Sequence, residues 1–143
     1  MKAYKILISG LTGTSLMTIF SYVASKALKK NFKEPVLLAG LIEDAVAKKK
    51  TALPYGWTVH YTMGVTWATV FEFVFDKAGI KRDFKAALVL GGLSGVTGII
   101  TWRLAFKTHP NPPRTDYNRF YAHLLLAHIV YSLGVTETSR VTS

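Results

Sequence analysis

The chain has 143 residues, half of them apolar, no cysteine and a formal net charge of +10. Its length fits one domain, and the lack of cysteine excludes disulfides and thiolate metal sites. In a soluble domain so basic a chain would point to nucleic acid. Here the lysines and arginines flank long uncharged stretches, which points instead to anionic lipid headgroups and not to nucleic acid.

Four stretches, residues 6–25, 51–71, 86–102 and 120–136, carry no Lys, Arg, Asp or Glu. A helix rises about 1.5 Å per residue and the hydrocarbon core is about 30 Å thick, so roughly 17–25 apolar residues can cross it. The expected architecture is therefore an all-α membrane domain covering residues 1–143. It has four transmembrane helices at about 4–28, 55–75, 84–106 and 117–135, arranged as two helical hairpins of the same orientation. The first apolar stretch is longer than a signal-peptide core and has no small-residue cleavage motif, so a cleaved signal is not expected.

The first predicted span places Gly10 and Gly13 among Ser9 and Thr14, a small-residue face that lets helix backbones approach closely in lipid. In the long loop after it, Glu34 and Pro35 open a second apolar patch, with Glu43 and Asp44 and then Lys48, Lys49 and Lys50 beyond. The patch is too short to span. An amphipathic helix over 36–47, lying in the membrane interface, is predicted there. The second span opens on Tyr55 and Trp57, aromatic residues typical of a membrane boundary, and carries Gly64. A polar turn of a few residues leads to the third span, whose Gly91, Gly92, Gly95 and Gly98 suit a helix packed deep in a bundle. Arg103 near its end can snorkel to the interface. Pro110, Pro112 and Pro113 keep the next loop extended, and the fourth span carries Gly134.

Two fragments recur in the same order. Gly10-Leu11-Thr12-Gly13 parallels Gly92-Leu93-Ser94-Gly95, and Tyr61-Thr62-Met63-Gly64-Val65-Thr66 parallels Tyr131-Ser132-Leu133-Gly134-Val135-Thr136. Such a repeat implies a pseudo-two-fold axis along the membrane normal. Eleven Lys and Arg fall on the side of the first and third loops and seven on the other, which predicts cytoplasmic long loops and external termini.

Ionisable residues inside a membrane are costly and are candidates for function. Here His60, His123 and His128 are candidate cofactor residues, since imidazole ligates metals and haem iron, relays protons, or hydrogen-bonds a quinone. His60, His123 and His109 all fall on the long-loop side. His123 and His128, five apart, point about 140° from each other on a helix and cannot share one small site. Glu72 is a candidate proton or cation site. The alternative for it is an interfacial carboxylate paired with Lys77, Lys81 or Arg82.

Several of these features together resemble the YagU-like small four-helix proteins of the bacterial inner membrane, whose activity is uncharacterised. They are Gly10-Leu11-Thr12-Gly13, His60 followed by Gly64, the Gly91-to-Gly98 cluster before Trp102, the prolines of the third loop, and His128 followed by Tyr131 and Gly134. Leu124, Leu125 and Leu126 stand where that pattern often has an acidic residue. The resemblance implies the fold and the membrane, and no activity. With no catalytic constellation in the sequence, the expected role is a structural or accessory membrane subunit, as a homo-oligomer or within a larger complex. The alternative is a histidine-dependent protein that handles a cofactor (haem, metal or quinone) or protons and ions.

Overall fold

A computed structural model describes residues 2–43 and 49–143, and the described residues form five α-helices and no strand. They are α1 (Ala3–Leu28), α2 (Glu34–Ile42), α3 (Lys49–Ala78), α4 (Phe84–Thr108) and α5 (Tyr117–Val141). Local chemistry sets several of the ends. Lys29 takes a left-handed φ of 52° at the end of α1, and Lys30 N–H then bonds Ser25 O at 3.2 Å. Glu34 and Pro35 occupy the first turn of α2, where the dipole favours an acid and proline loses no helical hydrogen bond. Asp83 caps α4 by accepting from Ala86 N–H at 2.9 Å, and Asp116 caps α5 by accepting from Arg119 N–H at 3.3 Å.

The long helices run up and down in a row, in the order α3, α1, α5, α4, with α2 laid against α3. Thr18 meets His60 and Gly10 meets Val65, so α1 and α3 are antiparallel. Ser21 meets His123 while Gly13 meets Val135, so α1 and α5 are antiparallel too. Gly91 meets Ile129 and Gly95 meets Leu125 along the antiparallel α4–α5 seam. Tyr131 O–H reaches across to Gly64 O at 2.5 Å, tying α5 directly to α3.

The glycines sit at these seams. A Cβ on Gly10 would lie 2.9 Å from Val65 Cα, and one on Gly13 would lie 2.6 Å from Val135 Cγ2. One on Gly64 would overlap Thr14 Oγ1, and on Gly134 it would be 3.0 Å from Gly13 Cα. The corresponding distances are 2.8 Å for Gly91 to Ile129 Cα, for Gly95 to Leu125 Cδ1 and for Gly98 to His128 Cε1. Two glycines not singled out by sequence do the same at α2: Gly56 abuts Pro35 and Ala39, and Gly40 abuts Pro113. The repeated fragments do not make equivalent contacts. Gly92 faces open space where Gly10 faces α3, and Gly134 packs on α1 where Gly64 packs on its own hairpin partner.

Three expectations change. Of the segment predicted at 36–47, the described part belongs to a helix over Glu34–Ile42 that packs against α3 and buries Glu34, Pro35, Leu37 and Ala39, while residues 44–47 lie outside the described residues. Its apolar residues surround the axis, and a helix apolar all round needs cover on more than one side. Asp44 and Lys48 lie outside the described residues. Next, α3 begins at Lys49 rather than near Tyr55, with Pro54 inside it. Finally, by length and composition two of the described helices, α1 and α4, are long and apolar enough to cross a membrane. By contrast α5 is flanked by α1 and α4, and its His123, His128, Ser132, Thr136 and Ser139 are all buried. These inward-facing polar residues lower its average hydropathy without lowering the hydropathy of what it shows outside.

Polar side chains share the interior with an aromatic and aliphatic core, and much apolar surface is turned outward. Fourteen polar side chains are buried among the described residues, while twenty-four large apolar ones are exposed. The exposed set concentrates on α1 (Leu7, Ile8, Leu11, Ile19, Val23) and α4 (Val89, Leu93, Val96, Ile100, Leu104). Water-soluble monomers rarely expose contiguous apolar surface on this scale.

Candidate functional site: a buried carboxylate–serine–histidine chain

On α1, Thr14, Thr18, Ser21 and Ser25 recur at spacings of four, three and four, which places four hydroxyls on one buried face. Thr14 donates to Gly10 O (2.7 Å), Thr18 to Thr14 O (2.7 Å) and Ser25 to Ser21 O (2.6 Å). Ser21 is the exception. Its hydroxyl leaves the helix and donates to Glu34 Oε1 at 2.7 Å.

Those donations fix the histidines. Thr18 Oγ1 has spent its proton on Thr14 O and lies 2.9 Å from His60 Nε2, so Nε2 carries a hydrogen and donates. Ser21 Oγ has spent its proton on Glu34 and lies 2.9 Å from His123 Nε2, so that nitrogen donates as well. His128 Nδ1 lies 2.9 Å from Leu124 O and must donate to it, which leaves Nε2 as the acceptor facing the Gly98 gap.

The first and third loops close over this end of the bundle. His109 Nδ1 accepts from Asn111 N–H at 3.1 Å, so its Nε2–H donates to Leu41 O at 2.9 Å. Thr115 donates to Asn31 O at 2.6 Å. His123 itself is sandwiched between Phe20 and Phe32, at ring separations of 5.2 and 4.9 Å. The result is a chain of three groups in an aromatic wall: His123 Nε2–H to Ser21 Oγ–H to Glu34 Oε1, with His123 and Glu34 3.8 Å apart. Glu34 is 2 % exposed, and its Oε2 has no hydrogen-bond partner among the described residues.

No protein-family model, curated protein or solved structure matches the chain. The geometry has to be read by its own chemistry. Of the three candidate histidines, His60 and His123 face α1, while His128 faces α4. Among the described residues no three His, Asp or Glu converge closely enough to hold a metal ion.

At the opposite end of the bundle Glu72 is 1 % exposed. Of the cations considered for it, Arg82 is the one that reaches it. The guanidinium bonds Glu72 Oε2 at 3.1 Å, Asp76 Oδ1 at 2.6 Å and Ser139 Oγ at 2.7 Å, and it lies 5.1 Å from the Phe75 ring centroid. Arg82 therefore clasps the α3–α4 turn onto α5. Its hydrogen bond holds the Asp76 carboxyl below the usual carboxylate range.

Glu34 is the residue that sequence reasoning left out of the site. It stands beside Lys33 in a charged loop, which reads as surface. The available signal was the all-apolar run after Pro35, which marks a helix that must be covered, and the hydroxyl spacing on α1 that supplies the partner.

Proposed function

We propose that this chain is a four-span membrane protein that takes up and passes a proton through His123, Ser21 and Glu34. The outward-turned apolar surface of α1 and α4 supports the membrane reading. In a bilayer the exposed faces of α1 and α4 meet hydrocarbon, while α3 and α5, of 30 and 25 residues, are long enough to cross, α5 with His123, His128, Ser132, Thr136 and Ser139 turned inward. The resemblance to YagU-like proteins adds the bacterial inner membrane as the location, with the long loops in the cytoplasm.

The single observation that carries the proton reading is a nearly inaccessible carboxylate with one unpartnered oxygen, joined to an imidazole by one serine hydroxyl. A buried carboxylate that lacks partners is costly unless a positive charge or a proton accompanies it. When His123 is doubly protonated, its Nε2 proton moves to Ser21 Oγ as the Ser21 proton moves to Glu34 Oε1. Imidazolium and carboxylate become imidazole and carboxylic acid, and no net charge is created in the low-dielectric interior.

The test uses proteoliposomes with an entrapped pH dye and an imposed proton gradient. Wild-type protein is expected to dissipate the gradient faster than Glu34→Gln or Ser21→Ala protein. Rates equal to those of protein-free liposomes, or unaffected by both substitutions, refute the proposal.

A second reading has its own observation. Among the described long helices α4 packs chiefly on α5, and it keeps an exposed apolar face with Gly92 open. That face suits an accessory subunit docking against another helix. Native mass spectrometry after mild detergent extraction separates the two readings, because a strictly monomeric, partner-free species counts against docking.

A further inference from the structure

The elbow between α1 and α2 holds an open cleft of about 690 Å³ whose character is independent of the histidine chain. Lys26, Lys29, Lys30 and Lys33 border it together with Asn31, and no acidic residue does. Lys30 is already paired with Asp116 at 3.5 Å. Lys26 and Lys29 are exposed, and Lys33 is half-buried. The chain reverses at Lys29, in a left-handed conformation that side chains other than glycine seldom adopt. The reversal brings Lys33 back over α1, with its Nζ 5.0 Å from the centre of the Tyr22 ring. A cation above an aromatic face is held by the ring's quadrupole, which gives one of the ammonium groups a fixed place at the rim.

Apolar side chains line the cleft as well. Val23, 62 % exposed, and Val36 line the same cleft. Tyr22 also stands 6.1 Å from Trp57, and Trp57 6.2 Å from Tyr61, an aromatic group at the level where a bilayer's headgroups would begin. Concentrated ammonium groups call for an anion of more than one charge-bearing oxygen, and the adjoining valines call for hydrocarbon.

From this juxtaposition we infer that the Lys26–Lys29–Lys33 cleft binds the phosphate of an anionic phospholipid, with its acyl chain along Val23 and Val36. The inference rests on the membrane reading above but not on the proton chain.

The experiment is native mass spectrometry of the full chain released from mild detergent, with phosphatidylglycerol or phosphatidylcholine supplied at equal concentration. Phosphatidylglycerol should be retained about tenfold or more over phosphatidylcholine. The triple variant K26Q/K29Q/K33Q should retain both lipids equally. A variant with the same charge loss at the other end, K77Q/K81Q/K85Q, should keep the preference. Inorganic phosphate in large excess should leave the lipid adducts in place.

Retention of the preference by the first variant, or its equal loss in the second, overturns the assignment. Displacement of the lipid by inorganic phosphate, with phosphate adducts in its place, would assign the cleft to the free anion instead and overturn the lipid proposal. A chain recovered in the aqueous fraction without detergent overturns the membrane reading itself. Detergent-extracted protein with lysine-independent lipid retention overturns the headgroup site alone.

Discussion

Gly64→Ala tests the helix-packing geometry most directly. A Cβ at residue 64 would overlap Thr14 Oγ1 and sit 3.0 Å from Thr14 Cβ, while Thr14 Oγ1 is held by its bond to Gly10 O at 2.7 Å. The added methyl leaves two outcomes. Thr14 can turn to another rotamer and give up that hydrogen bond, at a cost of about 1 kcal/mol, or α1 and α3 can separate. Separation loosens Gly10 against Val65 as well, so overpacking of about 1–3 kcal/mol is expected, less the roughly 1 kcal/mol that alanine gains over glycine in a helix. The net expectation is a loss of up to about 2 kcal/mol. Thr14→Ala removes the obstructing hydroxyl. The double variant G64A/T14A should therefore be more stable than the sum of the single changes predicts, by about 1 kcal/mol or more. The assay is reversible unfolding by denaturing detergent in mixed micelles, followed by helical circular dichroism. If G64A is clearly stabilising, or if the two substitutions are strictly additive, the α1–α3 seam is not packed at Gly64 as described.

Three further outcomes are expected. Arg82→Met leaves Glu72 buried and unpaired, and should cost about 3–5 kcal/mol in the same unfolding assay, with Glu72→Gln in the Met background recovering much of it. Gly91→Ala should destabilise, because its Cβ would meet Ile129 Cα at 2.8 Å, whereas Gly92→Ala should be neutral or slightly stabilising, because nothing lies within 4 Å. Equal effects at the two positions would contradict the α4–α5 register. Asp76 has a carboxyl held low by Arg82, so its contribution is complete above the unfolded carboxylate value and disappears as the pH falls through the lower folded value. Unfolding measured between neutral pH and about pH 3 should show stability falling below about pH 4, and Asp76→Asn should flatten that slope.

The long uncharged stretches determined by themselves that the chain is helical and where its long helices lie. The predicted and observed boundaries agree within a few residues at α1 and α4, because charged residues bracket both helices and Asp83 caps the second. The boundary aromatics Tyr55 and Trp57 set the expected start of the second span, whereas α3 begins at Lys49 and packs against α2, with Pro54 inside it. The glycines at 10, 13, 64, 91, 95, 98 and 134 were legible as packing residues, but their partners were not. Gly92 and Gly134 repeat the sequence context of Gly10 and Gly64, yet the row order α3–α1–α5–α4 gives them other neighbours.

The candidate site belonged almost wholly to tertiary structure. His60 and His123 were visible as polar residues in apolar stretches, because an ionisable group there stands out against its own segment. Glu34 was not, since a carboxylate beside Lys33 in a loop has every local mark of solvent exposure. Its burial follows from distance in the chain: α2 folds back onto α3, and Ser21, thirteen residues earlier, turns its one hydroxyl away from its own helix to meet it. Sequence alone fixes which side chains dislike water or lipid. Only the packing of α1, α2 and α5 decides that His123, Ser21 and Glu34 share one chain of hydrogen bonds, because that chain is assembled from three helices and no local pattern spans them.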